Sequence, residues 1–343
     1  MQLSIRSTTV RRIVPLVTGL LLVLAACGGN SDNSSGSSGG TKSFTVGFTS
    51  AGMSSAPFLA AIDSLKSQGY DIKTPELAES ELVTEGVAKG RFAFGSGANN
   101  EVMTADTKGA NLKVVVDRVS NEWTIYARKS ITQCADLNGK RLAIHSEGAV
   151  STAMVKNYIE TKCPGTKPNY VVISGSPNRL AALLADRIDA SPLELTDAVT
   201  LEAKASDRYA LLASFSQDLP QLHPTSVYVN GDFAKKNPET VKAVVKALLE
   251  QNRKIAGNPA YLKQIAEKFV PKAIDASTID SAAKKYVDLK MFNVNGGLNQ
   301  ADLDYTSKFF GPSGTKAVDK DMPASQWSDL SYLNQVVNEL GQQ

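Results

Sequence analysis

Histidine is scarce in this 343-residue chain: His145 and His223 are the only two. Neither has a partner at metal-ligand spacing, so the sequence offers no zinc-type cluster and few bases for proton transfer. Cysteine is nearly as rare, at three residues, which excludes a disulfide-dense scaffold. There is no surplus of positive charge in the body of the chain. Lys and Arg total 37 against 34 Asp and Glu, but Arg6, Arg11 and Arg12 sit in an N-terminal stretch without acids. Setting those three aside leaves 34 of each sign, and nucleic-acid binding loses its electrostatic footprint. No apolar run after residue 26 is long enough to span a bilayer. Outside the Gly/Ser-rich run at 28–43 there is no Gly-x-Ser-x-Gly elbow, and the Gly-x-x-x-x-Gly-Lys phosphate loop and internal repeats are missing.

Arg11 and Arg12 precede an apolar run from Ile13 to Ala26, which closes on the small residues Ala25 and Ala26 before Cys27. This is the layout of a secretory signal peptide, interrupted by Pro15 and Gly19 and too short to serve as a membrane span. The string Leu24-Ala25-Ala26-Cys27 resembles the lipobox of bacterial lipoproteins, which implies cleavage before Cys27 and acylation of its sulfur. Residues 28–43 are rich in Gly and Ser and read as a flexible tether. In an exported protein, Cys134 and Cys163 remain as an even pair and are expected to form a disulfide.

About 300 residues follow the tether, more than one hydrophobic core usually holds, so two lobes are expected. Short β-rich runs at 44–48, 91–95, 112–119, 122–127, 141–144, 170–173, 190–193, 209–213 and 226–229 alternate with helical patterns. The helices are expected at 57–67, 79–89, 99–108, 150–161, 177–185 and 195–205, and the alternation implies parallel sheets covered by helices. Ser176 and the Asn237-Pro238 and Asn258-Pro259 pairs read as helix caps. Beyond Asn230 the chain is helical, at 238–255, 259–269, 277–289, 299–310 and 325–340. An economical division is 1–26 signal peptide, 27–43 lipidated cysteine and tether, 44–127 plus 226–343 lobe 1, and 128–225 lobe 2. The two crossings, near Ala127 and Pro224, are expected to be hinge strands.

Four stretches in order resemble one family. They are TVGFTSAGMSSAPFLAAIDSL from Thr45, VAKGRFAFGSGANNEVMTADTKGANLKVV from Val87, ITQCADLNGKRLAIHSEGAVSTAMVKNYI from Ile131 and RLAALLADRIDASPLE from Arg179. Together they resemble the bacterial solute-binding proteins for nitrate, sulfonates, taurine and thiamine precursors. The resemblance implies an α/β, two-lobe periplasmic-binding-protein-like fold of type II. It further implies a small-molecule solute in the cleft, an ABC permease with its ATPase as partner, and a monomer tied to the membrane through the N-terminal lipid. Neither enzyme activity nor a cofactor is expected.

Ligands of open α/β sheets sit at the carboxyl ends of strands. Three loops there, 49–55, 95–100 and 146–152, map onto the family's cleft and are rich in small and polar residues. Candidate binding residues are Ser50, Gly52, Met53, Ser54, Gly97, Asn99, Asn100, Ser146, Gly148, Ser151 and Thr152, with Gly95, Ser96 and His145 beside them. Glycines would let the backbone approach a ligand, hydroxyls and amides would bond it, and the helix N-termini favour an anion. Trp123 could stack on a planar or alkyl solute, and Glu194 would favour an amine or ring N–H over a sulfonate. Two departures stand out. Gly90-Arg91-Phe92-Ala93-Phe94 lacks the aspartate of the family's Gly-x-Val-Asp-Phe turn, which puts binding chemistry near Ala93 in doubt, whereas Asp186-Arg187-Ile188-Asp189 keeps it. No arginine stands in the three loops, which weakens bidentate capture of an oxyanion. Two other roles fit the same fold: presenting ligand to a membrane sensor, and thiamine-pyrimidine synthesis, whose cysteine-rich iron motif is missing here.

Overall fold

The computed structural model describes residues 40–49, 51–270 and 274–343. The signal segment, Cys27, most of the tether and Ser50 lie outside the described residues. Ten strands form two five-stranded sheets. The first holds β1 (Ser43–Gly47), β2 (Asp71–Lys73), β3 (Phe94–Ala98) and β4 (Leu112–Asp117). The second holds β5 (Thr124–Arg128), β6 (Arg141–Ile144), β7 (Asn169–Val172), β8 (Ala190–Leu193) and β9 (Tyr209–Ser214), after which β10 (Thr225–Asn230) returns to the first. The orders are β2-β1-β3-β10-β4 and β7-β6-β8-β5-β9.

The two orders are one plan used twice. In each sheet three parallel strands are followed by one antiparallel strand, and that strand is where the chain changes sheets. β10 runs antiparallel between β3 and β4, and β5 antiparallel between β8 and β9. The expectation of purely parallel sheets is therefore corrected: local alternation of strand and helix carries no information about a strand that enters from the other sheet. Thr124–Ala127, grouped by the sequence with lobe 1, pair in the second sheet, and the crossings are the non-strand segments 118–123 and 219–224.

β4 reads LKVVVD and is buried along nearly its whole length, as suits a strand covered on both faces. In β3 the sequence Phe-Gly-Ser-Gly-Ala makes room for a ring: a Cβ at Gly95 would meet the Tyr228 side chain at 2.5 Å, and one at Gly97 would meet it at 3.3 Å. These glycines, expected to admit a ligand, have a packing role. The helical tail covers the first sheet, where Pro238–Ile255 packs against both Ala56–Ser67 and Ser331–Leu340. The expected last helix is split in two, Ala324–Trp327 and Ser331–Leu340, and Trp327 is fully buried with its indole N–H donating to Ser307.

Local capping follows the sequence in part. Asn258 accepts from the Tyr261 N–H and caps its helix. Asn237 accepts instead from Thr41, tying the start of the described chain to the tail. Ser176 lies inside the helix Ser176–Leu184, and its hydroxyl accepts from the Glu194 N–H instead of capping. Cys134 and Cys163 are bonded, their Cα atoms 5.7 Å apart, closing a loop of 29 residues in the second sheet's half.

The turn before the third parallel strand of each sheet is also built twice. Before β3 the residue at positive φ is Gly90 (69°), Arg91 N donates to Gly86 O, Ala93 N to Thr45 O and Asn230 N to Ala93 O. Before β8 it is Asp186 (57°), and the matching bonds run from Arg187 N to Ala182 O, Asp189 N to Arg141 O and Arg128 N to Asp189 O. Both turns lie at the amino ends of their strands, the end opposite the three polar loops. The missing aspartate at Ala93 thus lies away from the three polar loops.

Candidate functional site

The carboxyl ends of the parallel strands in the two sheets face one another, and three contacts bridge them. Asn100 Nδ2 donates to the Gly148 carbonyl at 2.7 Å, His145 Nε2 stands 3.5 Å from Glu79, and the Tyr286 and Thr196 hydroxyls are 3.4 Å apart. A cavity of about 570 Å³ beside the first bridge is lined by Thr84, Asn100, Glu101, Gly148 and Ala317 among others. Burial pushes the Glu101 carboxyl up to about 7 there, against hydrogen bonds from Ser80 and Thr84 that favour its charge.

From the first sheet come Met53 and Ser54, both buried, with Asn99 and Asn100 at the start of the helix Asn99–Thr107. Asn99 Nδ2 donates to the His223 carbonyl (2.7 Å) and to Ser226 Oγ (3.0 Å). A Cβ at Gly52 or Gly148 would meet nothing within 4 Å, so the backbone is bare there. From the second sheet, Thr152 Oγ accepts the His145 N–H, holding the loop at the end of β6, and Ser151 is buried beside it. Ser146 Oγ is buried without a protein partner.

Trp123 lies in the first crossing and carries the Arg179 guanidinium over its ring at 5.7 Å. Arg179 is wholly buried; it donates to the carbonyls of Pro192 and Ile173 and approaches His145 Nδ1 at 3.4 Å. Burial lowers its affinity for the proton to about 10, although Glu194 and Asp197 oppose this. The neighbouring Glu122 is pushed up to about 7, first by burial and then by the charge of Glu194, while Arg118 and hydroxyl bonds from Tyr286 and Ser54 pull it down. Asp197 rises to about 6 for the same two reasons. Charges of both signs therefore stand in a desolvated region, which disfavours each charge alone and strengthens the attraction between opposite ones.

Behind the crossing, His223 is clamped by two carboxylates, Asp117 at 3.1 Å from Nδ1 and Asp302 at 3.5 Å from Nε2. Burial disfavours the charged ring, but the two acids outweigh it and raise its pKa to about 9.

Of the residues expected from sequence, Met53, Ser54, Asn99, Asn100, Trp123, Ser146, Gly148, Ser151, Thr152 and Glu194 lie on these facing segments. Sequence reasoning missed Arg118, Asn121, Arg179 and Tyr286. A signal for Arg179 was present: on its helix it shares the face of Ala182 and Leu183, an arginine on an apolar stripe. Among the described residues, no group of three or more His, Cys, Asp or Glu could hold a metal ion, and no helix is long and apolar enough to cross a membrane.

Two mixed sheets meeting at the carboxyl ends of their parallel strands, with the chain crossing twice between them, define the periplasmic-binding-protein-like class of fold. The similarity to solved structures is of the same kind. The aliphatic sulphonate-binding protein SsuA from Escherichia coli aligns with a TM-score of 0.66 at 16% identity, over 84% of this chain and 92% of that one. The nitrate-binding protein NrtA from Synechocystis PCC 6803 gives 0.66 at 12%, over 88% and 89%. DSZB in complex with biphenyl-2-sulfinic acid gives 0.62 at 13%, over 87% and 99%. No curated protein sequence matches. Residues 55–261 match the family described as NMT1/THI5 like, and the chain belongs to that family.

Proposed function

We propose that this chain is the extracytoplasmic solute-binding component of an ABC importer, capturing one small organic molecule between its two sheets without turning it over. The observation that carries this reading is the set of buried polar atoms on the facing segments that no protein group pairs with. They are Ser96 Oγ, Ser146 Oγ, Arg179 Nη2, Arg118 Nε and the side-chain oxygens of Asn99, Asn100 and Asn121. An unpaired buried polar atom costs on the order of 1–3 kcal/mol, so such a cluster belongs to a surface that is completed by something else. The sulphonate- and nitrate-binding proteins among the structural neighbours support the same reading. Lobe 1 then comprises the first sheet and the tail, lobe 2 the second sheet, and acylation of Cys27 anchors the monomer to the cell membrane.

The test is a thermal-shift panel on protein starting at Thr41, with sulfonates, nitrate, thiamine precursors, amino acids and aromatic amides. A solute at about 100 times its dissociation constant adds about 2.7 kcal/mol and raises the melting temperature by a few degrees. A saturable shift lost in Trp123→Ala supports capture in the cleft. Because one neighbour of this fold is DSZB in complex with biphenyl-2-sulfinic acid, the bound solute is recovered and weighed after incubation. Recovery of an altered molecule would overturn the reading without turnover.

A further inference from the structure

Resting on that reading, we propose that the cleft selects a solute whose planar head group brings N–H donors, of amide or amidine type, over a bare oxyanion. Three asparagines define the chemistry by which way their amides point. The Asn99 amide nitrogen is committed to a backbone carbonyl, at His223, and to Ser226 Oγ. A carbonyl cannot donate, so the amide orientation is fixed and the oxygen is the atom left over. Asn100 is fixed in the same way by the Gly148 carbonyl. Asn121 directs its nitrogen to the Met154 sulfur at 3.5 Å, again leaving oxygen. All three oxygens are buried and without a protein partner. They are pure acceptors.

Glu122, next to Asn121 in the first crossing, and Glu194, whose charge acts on Glu122, add acceptor capacity when ionised. Among the described residues of the facing segments the unpaired donors are Arg118 Nε and Arg179 Nη2, with the hydroxyls of Ser96 and Ser146 able either to donate or to accept. Neither arginine is a spare cation. Arg118 stands close enough to Glu122 to stabilise its charge, and Arg179 lies in the field of Glu194 and Asp197 while donating to two backbone carbonyls. A sulfonate or nitrate has no hydrogen to give, so it would leave the three amide oxygens unpaired and lie near the charges of Glu122 and Glu194. An amide satisfies both sets, with N–H groups for the asparagines and a carbonyl for one arginine. An amidine satisfies the acceptors more fully and meets the carboxylates. The buried ring of Trp123 already carries the Arg179 guanidinium at 5.7 Å, a stack that a planar body would extend.

Calorimetry with four probes tests this: benzamide, benzamidine and benzenesulfonate, which share a ring and differ in head group, and nitrate. Benzamide or benzamidine is expected to bind one to one, at least about tenfold more tightly than benzenesulfonate or nitrate, the cost of roughly one unpaired acceptor. Asn121→Leu should weaken the favoured probe about tenfold with the ligand-free melting temperature unchanged or raised, because an unpaired buried oxygen is removed. Asn121→Asp should shift preference from benzamide toward cationic benzamidine, a change that a merely structural asparagine would not produce. Tighter binding of benzenesulfonate or nitrate would overturn the head-group assignment and leave the solute-binding reading standing. Absence of binding by all four also overturns the assignment, and the broader thermal-shift panel then decides the solute-binding reading separately.

Discussion

The turns before β3 and β8 share their backbone bonds and differ in one side chain. Asp189 receives the Arg141 N–H, the Arg141 guanidinium and Arg128 Nε, each at about 3 Å, and so ties three strands together at one point. Its counterpart Ala93 offers a methyl group, and the positions of the two arginines are held by Thr45 and Asn230. The first sheet instead has a long helical tail packed over it, whereas the second has a disulfide and this carboxylate. The aspartate of the turn is therefore a brace that a lobe with enough apolar cover can lose.

If the second sheet depends on local braces, removing them should show it, and the largest effect is expected from the disulfide. Replacing Cys134 and Cys163 by Ser should cost about 3–4 kcal/mol, since a closed loop of 29 residues is released in the unfolded chain. Hydrogen exchange should speed up in β6 and β7 before the first sheet is affected. Uniform loss of protection across both sheets would break the comparison.

Next comes Asp189→Ala, expected to cost about 2 kcal/mol in urea titrations, because both arginine partners are partly solvated and stay hydrated when released. The reverse change, Ala93→Asp, puts a nearly buried carboxylate beside Thr45, where no arginine stands as Arg141 does beside Asp189. It should cost about 1–2 kcal/mol, partly restored by Thr45→Arg. A neutral Ala93→Asp would mean that the two turns are less alike than their backbones indicate.

The smallest effect is the pH profile, where the two sheets should titrate in opposite directions. Asp189 is held below the usual carboxylate range by Arg141 above all, so its contribution is present above about pH 4 and fades as pH falls toward its folded pKa. His223 is raised to about 9 by Asp117 and Asp302 against its burial. Its contribution is full below about 6.5 and is lost as pH rises through 9. Because burial also pushes the Asp117 partner up, the net loss in alkali should be on the order of 1–2 kcal/mol. In His223→Gln the alkaline loss should vanish while the acid limb stays.

What could be read along the chain was whatever depends on near neighbours. The helices Leu195–Ala205, Pro238–Ile255 and Pro259–Phe269 and the strands β6 and β8 fall where periodicity and Pro starts put them. β2 was missed because three residues, Asp71–Lys73, are too few to show alternation. The segment Gly231–Lys236 was missed because one turn has no period. The site divides in the same way. Serines, glycines and asparagines of the three loops were legible from their places after strands. Tyr286 was not, since it reaches Glu122 from 164 residues away. Nor was the use of Gly95 and Gly97, which depends on Tyr228 arriving from the other end of the chain.

Asp117 at the end of β4 and Ser226 at the start of β10 are partners on one rung of the first sheet. Residues 118–225 therefore leave and re-enter the first sheet at neighbouring points, about 5 Å apart. Seen as engineering, the second half of the molecule is a cartridge: its two leads share a single socket. A foreign domain with adjacent termini could be plugged between those residues, and a chimera carrying a relative's cartridge would inherit half of its selectivity in one splice.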